Sequence, residues 1–191
     1  MNKSSVRILS LVLAILILWS VPVTGFGYDD GNLWAEWTDG RIYGNRIYFS
    51  AASASSTLKE GNITFSAAYA IDDKREYQRP WVEGVRGDGI GETLTLYFDD
   101  VVTITALSLR LGYARDQARY DKNNRPSALR FTFSDGRSVE SWFDDVNEEQ
   151  SIILSDAVST CYVKITILDV YEGTQCDDTC IYQVKAYELV G

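Results

Sequence analysis

The chain contains no histidine. Every mechanism that needs an imidazole base or a histidine metal ligand is thereby excluded, including the Ser-His-Asp and Cys-His hydrolases, the zinc proteases and the zinc deaminases. Basic residues are also scarce. Eighteen Lys and Arg face 27 Asp and Glu, a net charge of −9, so no basic stripe exists to release counterions from a nucleic acid or to hold an anionic membrane surface. Long apolar runs are missing except for Ile8 to Trp19, about 12 residues where a bilayer needs about 20. Aromatics, by contrast, make up 13% of the 191 residues and charged groups 24%, a composition of ordered globular protein.

Lys3 and Arg7 precede the apolar run, and Pro22, Thr24 and Gly25 follow it. This order is that of a secretory signal peptide, which places a leader at 1–25 with cleavage near Gly25 and a protein secreted or exported to the cell surface or periplasm. An uncleaved anchor is the competing reading. After cleavage no segment is expected to insert into a membrane, and the remaining length suits one domain at 49–191 preceded by an arm or extra hairpin at 26–48. Asn62-Ile63-Thr64 fits a glycosylation sequon, relevant only in a eukaryotic secretory pathway.

Cys161, Cys176 and Cys180 fit an oxidising compartment with one disulfide and one spare thiol. Cys161 opens a β-branched run, which if extended carries it about 30 Å from the other two. The expected bridge is therefore Cys176–Cys180, closing a loop around Asp177, Asp178 and Thr179; three reduced, buried thiols are the alternative.

Alternating apolar and polar residues dominate the chain beyond residue 30. Thr93 to Phe98, Val101 to Leu111, Ala128 to Phe133, Arg137 to Phe143, Ser151 to Leu154, Tyr162 to Leu168 and Ile181 to Leu189 read as strands, and Ser134-Asp135-Gly136 as a hairpin turn. Arg41 to Phe49, broken at Gly44-Asn45, reads as a further hairpin. Short strands without intervening helices predict an all-β jelly-roll sandwich.

The polar interest lies between the strands. Asp-Asp pairs at 29–30, 72–73, 99–100, 144–145 and 177–178 fit a glycosidase carboxylate pair, or more simply turns, where Asp caps the backbone. Asp72 and Asp73 are candidates for a calcium site completed by carbonyl oxygens. Gly87-Asp88-Gly89-Ile90-Gly91 looks like a phosphate-cradling loop, but a strand rather than a helix follows it, so it reads as a tight turn. Trp81 just before it is expected to plug the core.

Taken in order, Ser55-Ser56-Thr57-Leu58, Ala70-Ile71-Asp72-Asp73, Trp81-Val82-Glu83-Gly84-Val85, Gly87-Asp88-Gly89-Ile90-Gly91-Glu92, Gly112-Tyr113, Asn124-Arg125-Pro126, Phe133-Ser134-Asp135-Gly136, Val170-Tyr171-Glu172-Gly173 and Asp178-Thr179-Cys180-Ile181 resemble the discoidin-like domains of the NADase-type glycan-binding family. The resemblance covers roughly residues 50 to 189. It implies a galactose-binding-like jelly roll used as a carbohydrate-binding or targeting module. Two departures stand out. Asp72-Asp73 replaces a usual Asp-Gly, and Gln183 stands where a late Glu is usual; in metal-binding relatives these positions support a structural calcium.

The leading expectation is a non-catalytic, lectin-like module with a glycan as partner. No cofactor is required, and calcium is the one structural candidate. Tyr113 and Tyr120 are expected as sugar platforms, Asn124 and Arg125 as hydrogen-bonding arms, with Glu83 and Asp178 at the edge of the site. The alternative is a module for protein–protein adhesion or cell-envelope structure.

Overall fold

The computed structural model describes residues 33, 35–38, 42, 44–74 and 78–188. The leader and most of the arm at 26–48 lie outside the described residues. Within them the chain forms eleven strands: β1 (Ala35–Thr38), β2 (Asn45–Ile47), β3 (Ala51–Ala54), β4 (Lys59–Glu60), β5 (Ile63–Thr64), β6 (Trp81–Val82), β7 (Thr93–Leu111), β8 (Arg125–Phe133), β9 (Ser138–Trp142), β10 (Glu149–Tyr171) and β11 (Cys180–Glu188). A 3-10 helix (Ala67–Ile71) and one six-residue helix, α1 (Gln117–Lys122), interrupt them.

Two strands are far longer than their alternation predicts, β7 with 19 residues and β10 with 23. The reason is a change of parity. Along β7 the core positions are Leu94, Leu96, Phe98 and Ile104, then Leu107, Leu109 and Leu111; along β10 they are Ile152, Leu154 and Val158, then Val163, Ile165 and Ile167. Each strand therefore shifts its inward face by one residue, and their antiparallel ladder carries register shifts between Ile153 and Val158 and between Thr160 and Tyr162. Such bulges interrupt the ladder locally and re-aim the side chains, and the pairing resumes beyond them. A sequence reading sees two short strands at each place where the structure has one.

Because each long strand serves twice, the nine-stranded sheet folds into two layers. One layer comprises β3, the first part of β7, the second part of β10, β8 and β9. The other comprises β2, β11, the second part of β7, the first part of β10 and β1. Leu94, Leu96, Phe131, Phe133, Val163 and Ile165 of the first meet Leu107, Leu109, Ile152 and Val184 of the second in one buried cluster. This is the jelly-roll sandwich expected. The Ser134–Gly136 turn joins β8 to β9, with Gly136 at φ 90° in the left-handed region. Of the hairpin expected at 41–49, residues 41 and 43 lie outside the described residues, and the described β2 pairs with the distant β11. No helix among the described residues is long and apolar enough to cross a membrane.

Trp81 closes one end of the core. Its side chain is fully buried, and its indole Nε1 donates to the Ser56 carbonyl at 3.1 Å. Trp81→Phe removes that donor and leaves a gap, so urea unfolding is expected to register a loss of about 1–3 kcal/mol.

Candidate functional site

Four connections meet at one end of the sandwich: residues 83–92, 112–124, 143–148 and 172–179. Buried polar side chains hold them there. Asn124 sits at the entrance to β8. Its Nδ2 donates to Asp88 Oδ1 at 3.0 Å and to the Asp177 carbonyl at 3.1 Å, while its Oδ1 accepts from the Gly173 amide at 2.6 Å. One amide thus ties three loops. Gly173 is required by this closeness, since a Cβ there would lie 2.3 Å from the Lys122 carbonyl oxygen.

Glu83 performs the same service from the other side. It is fully buried, its Oε1 accepting from the Thr179 amide at 3.1 Å and its Oε2 from the Val85 amide at 2.8 Å. Gly89, at φ 66°, packs directly on it; a Cβ would fall 2.5 Å from Glu83 Cγ. Burial raises the Glu83 carboxyl above its ordinary value, the neighbouring charges of Asp178 and Glu92 adding to the shift and its two amide bonds opposing it. Asp178, half-buried, is raised as well, by burial and then by Asp177 and Glu60.

Arg125 is a brace. Its guanidinium forks onto both oxygens of Asp145, with Nε to Oδ1 at 2.9 Å, and its Nη1 reaches the carbonyls of Asn123 at 3.2 Å and Glu172 at 3.0 Å. Tyr120 lies against it, its ring 5.1 Å from the guanidinium carbon and its hydroxyl donating to Asp145 Oδ1 at 3.0 Å. Burial, reinforced by the Asp145 charge, drives the Tyr120 phenol well above its ordinary range. Asp116 starts the helix that presents Tyr120, its side chain accepting from the Arg119 amide at 3.0 Å. Tyr113, half-buried, meets Phe65 edge-on at 6.3 Å beneath Arg119 and packs beside Leu58, Val82 and Cys180.

Beside this framework lies an open pocket of about 460 Å³. Its lining is Asp88, Asn124 and residues 172–177. All six residues expected at the site do gather at this end of the sandwich, but Asn124 alone of them lines the pocket. Tyr120 and Arg125 are buried and bonded to Asp145, so they serve as supports where a platform and a sugar-reaching arm were expected. Glu83 is likewise sealed inside. The pocket wall of Glu172, Thr174, Gln175, Cys176 and Asp177 is not among the expected glycan-binding residues. Its legible signals are the Glu172-Gly173 pair of the family pattern and the Asp177-Asp178 pair.

A further expectation changes. The thiols of Cys161, Cys176 and Cys180 are all free, so the Cys176–Cys180 bridge is not formed here. Cys176 is held by its amide on the Lys122 carbonyl, whereas Cys180 is fully buried with its Sγ 3.8 Å from the Asp178 carbonyl. Burial first, then the charges of Asp178 and Glu83, pushes the Cys180 thiol well above its ordinary value. At the calcium candidate, Asp73 Oδ1 accepts from Arg46 Nη2 at 2.8 Å and from Gln183 Nε2 at 3.4 Å, and Asp72 Oδ1 accepts from the Lys74 amide at 3.1 Å, so one oxygen of each carboxylate already has a protein donor. Among the described residues no group of three or more carboxylates and thiols is placed to hold a metal.

Residues 42–187 match the family model of the NAD glycohydrolase translocation F5/8 type C domain. Similar solved structures include the family 32 carbohydrate-binding module of Clostridium perfringens NanJ in complex with galactose, 19% identical over 72% of this chain and 93% of that one, with a TM-score of 0.53. Another is the corresponding module of AlyQ in complex with 4,5-unsaturated mannuronic acid, 16% identical over 75% and 98%, TM-score 0.53. A third is chitosan-binding module 1 of a Paenibacillus sp. IK-5 chitosanase/glucanase, 13% identical over 74% and 97%, TM-score 0.52. At these identities the likeness is one of fold. No curated protein matches the chain.

Two outcomes follow from the buried groups. Glu83 binds its proton more tightly folded than unfolded, so its contribution to stability is complete below its ordinary value of 4.5 and is lost as pH rises through the folded value. Urea melts across that range are expected to show this loss in the wild type and not in Glu83→Gln. Arg125→Lys loses the fork and leaves Asp145 and two carbonyls short of donors. Partial exposure of Asp145 moderates the effect to about 2–3 kcal/mol, measured by the same melts.

Proposed function

Because the chain belongs to the family of NAD glycohydrolase translocation F5/8 type C domains, we propose that it is a non-catalytic glycan-binding module, exported by its leader. The observation that carries this reading is the open, polar pocket at the loop end, floored by Asn124 and walled by residues 172–177. A sugar presents several hydroxyls at fixed angles, and a preformed ring of carboxylate, amide and carbonyl acceptors meets them without reorganisation. Asp88, Glu172 and Asp177 give the pocket three carboxylates, which favour neutral or amino sugars and repel uronates. Among the described residues no aromatic side chain lines it, so hydrogen bonds rather than ring stacking hold the sugar.

Catalysis is not part of the reading. The chain has no histidine, and the buried carboxyl of Glu83 is sealed from any substrate by its own loop. Asp88, by contrast, faces the pocket while accepting from Asn124.

Glycan-array screening of the secreted protein, followed by calorimetry, tests this function. Galactose, N-acetylgalactosamine and glucosamine oligomers are the expected ligands, bound equally with and without chelator. Asp88→Ala is expected to weaken binding about tenfold, the effect of one lost charge-assisted hydrogen bond. Release of reducing sugar by the wild type would overturn the non-catalytic reading, and silence across the array would turn attention to protein adhesion.

A further inference from the structure

Hydrogen bonding around the loop pocket is one-sided. Its donors are engaged by the surrounding frame: the amides of Gly173, Thr174, Gln175 and Cys176 go to Asn124 Oδ1 and to the carbonyls of Asp121 and Lys122, at 2.6 to 3.2 Å. Thr174 Oγ1 donates to the Asp121 carbonyl at 3.0 Å, and the two hydrogens of the Asn124 side-chain amide go to Asp88 Oδ1 and the Asp177 carbonyl. Of the lining side chains only the Gln175 amide and the Cys176 thiol keep a hydrogen to offer. Acceptors, in contrast, stay open. The Glu172 and Asp177 side chains are exposed and take part in no hydrogen bond or ion pair among the described residues, and Asp88 engages Oδ1 alone. No Lys or Arg side chain lines the pocket. The nearby guanidinium of Arg125 is forked onto Asp145, and Lys122 meets the wall through its backbone carbonyl.

We infer that this pocket, which rests on the glycan-binding reading above, selects a sugar whose ring carries a free ammonium, so that a glucosaminyl unit binds ahead of its hydroxyl and N-acetyl counterparts. An ammonium is donor-only, with three hydrogens and a full charge, and it matches a wall with acceptors to fill and few donors to give. A hydroxyl in its place brings one hydrogen and no charge. Acetylation removes the charge and adds a carbonyl, an acceptor for which the wall holds hardly a donor. A bare metal ion is a poorer occupant, because it needs its oxygens gathered at one point, and among the described residues no group of three or more carboxylates and thiols is so placed. Carboxylates spread round an opening of about 460 Å³ suit a ligand that itself spreads an ammonium and several hydroxyls over a ring. The net charge of −9 acts in the same direction, drawing a cationic oligosaccharide toward the protein.

Calorimetry of the full chain with three β-1,4-linked trimers, of glucosamine, N-acetylglucosamine and glucose, tests this, because the three differ only in the group at C2. The glucosamine trimer is expected to bind about tenfold more tightly than the glucose trimer, the effect of one charge-assisted bond, and the gap to narrow with added salt. Glu172→Gln together with Asp177→Asn, isosteric changes at exposed positions, is expected to close the gap while affecting the glucose trimer far less. Asp99→Asn together with Asp100→Asn removes the same net charge outside the pocket lining and is expected to leave the gap in place. Equal affinity for the three trimers, tightest binding of the acetylated one, or a gap that closes equally in the Asp99 and Asp100 variant would each overturn the amine preference while leaving the glycan-binding reading intact. Binding of none of the trimers, with silence across the glycan array, would remove that reading and this preference with it.

Discussion

Everything in this protein hangs on the antiparallel pairing of two strands that belong to both layers at once. β7 and β10 run beside each other for most of their length, and each turns a different set of residues inward before and after its bulge. The two layers are therefore covalently continuous at their centre, and the remaining strands add to edges already in place. Burial of the phenylalanines and branched aliphatics between the layers supplies the drive. The parity change supplies the geometry.

Polar chemistry takes over where the strands stop. The loop end has too little apolar surface to hold itself together, and buried side chains with several bonds each do so instead. Asn124, Glu83 and Arg125 join segments up to 96 residues apart in the chain, the longest of these being the Glu83 bond to the Thr179 amide. Glycine is essential at two of these crossings, Gly89 against Glu83 and Gly173 against the Lys122 carbonyl, because any side chain would force the pieces apart. The result is a rigid frame with a polar pocket on its open side. A pre-organised frame of this kind is what recognition of a small polar ligand requires, since ordering loops on binding would consume the modest free energy that hydroxyl contacts offer.

Strand register alone lines up Ser53, Thr95, Lys164, Thr132 and Ser138 on the outer face of the β3–β7–β10–β8–β9 layer, without any of the loop bonding that organises the end of the sandwich.

From the sequence alone, the all-β class, most strand positions, the glycine turn before Thr93, the burial of Trp81 and the gathering of the conspicuous loop residues at one end of a jelly roll were all legible. These are properties of short range or of family pattern: alternation encodes which face is buried, and turn residues encode where the chain reverses. Tertiary structure decided the rest. Whether Arg125 reaches a ligand or braces a loop depends on where Asp145 and the Glu172 carbonyl come to lie, 20 and 47 residues along the chain. Whether Asp73 is open to a cation depends on Arg46 arriving from another strand. A side chain's chemistry is written in its own residue, but whether that chemistry is satisfied internally or left for a ligand is set by partners that only folding brings within hydrogen-bond distance.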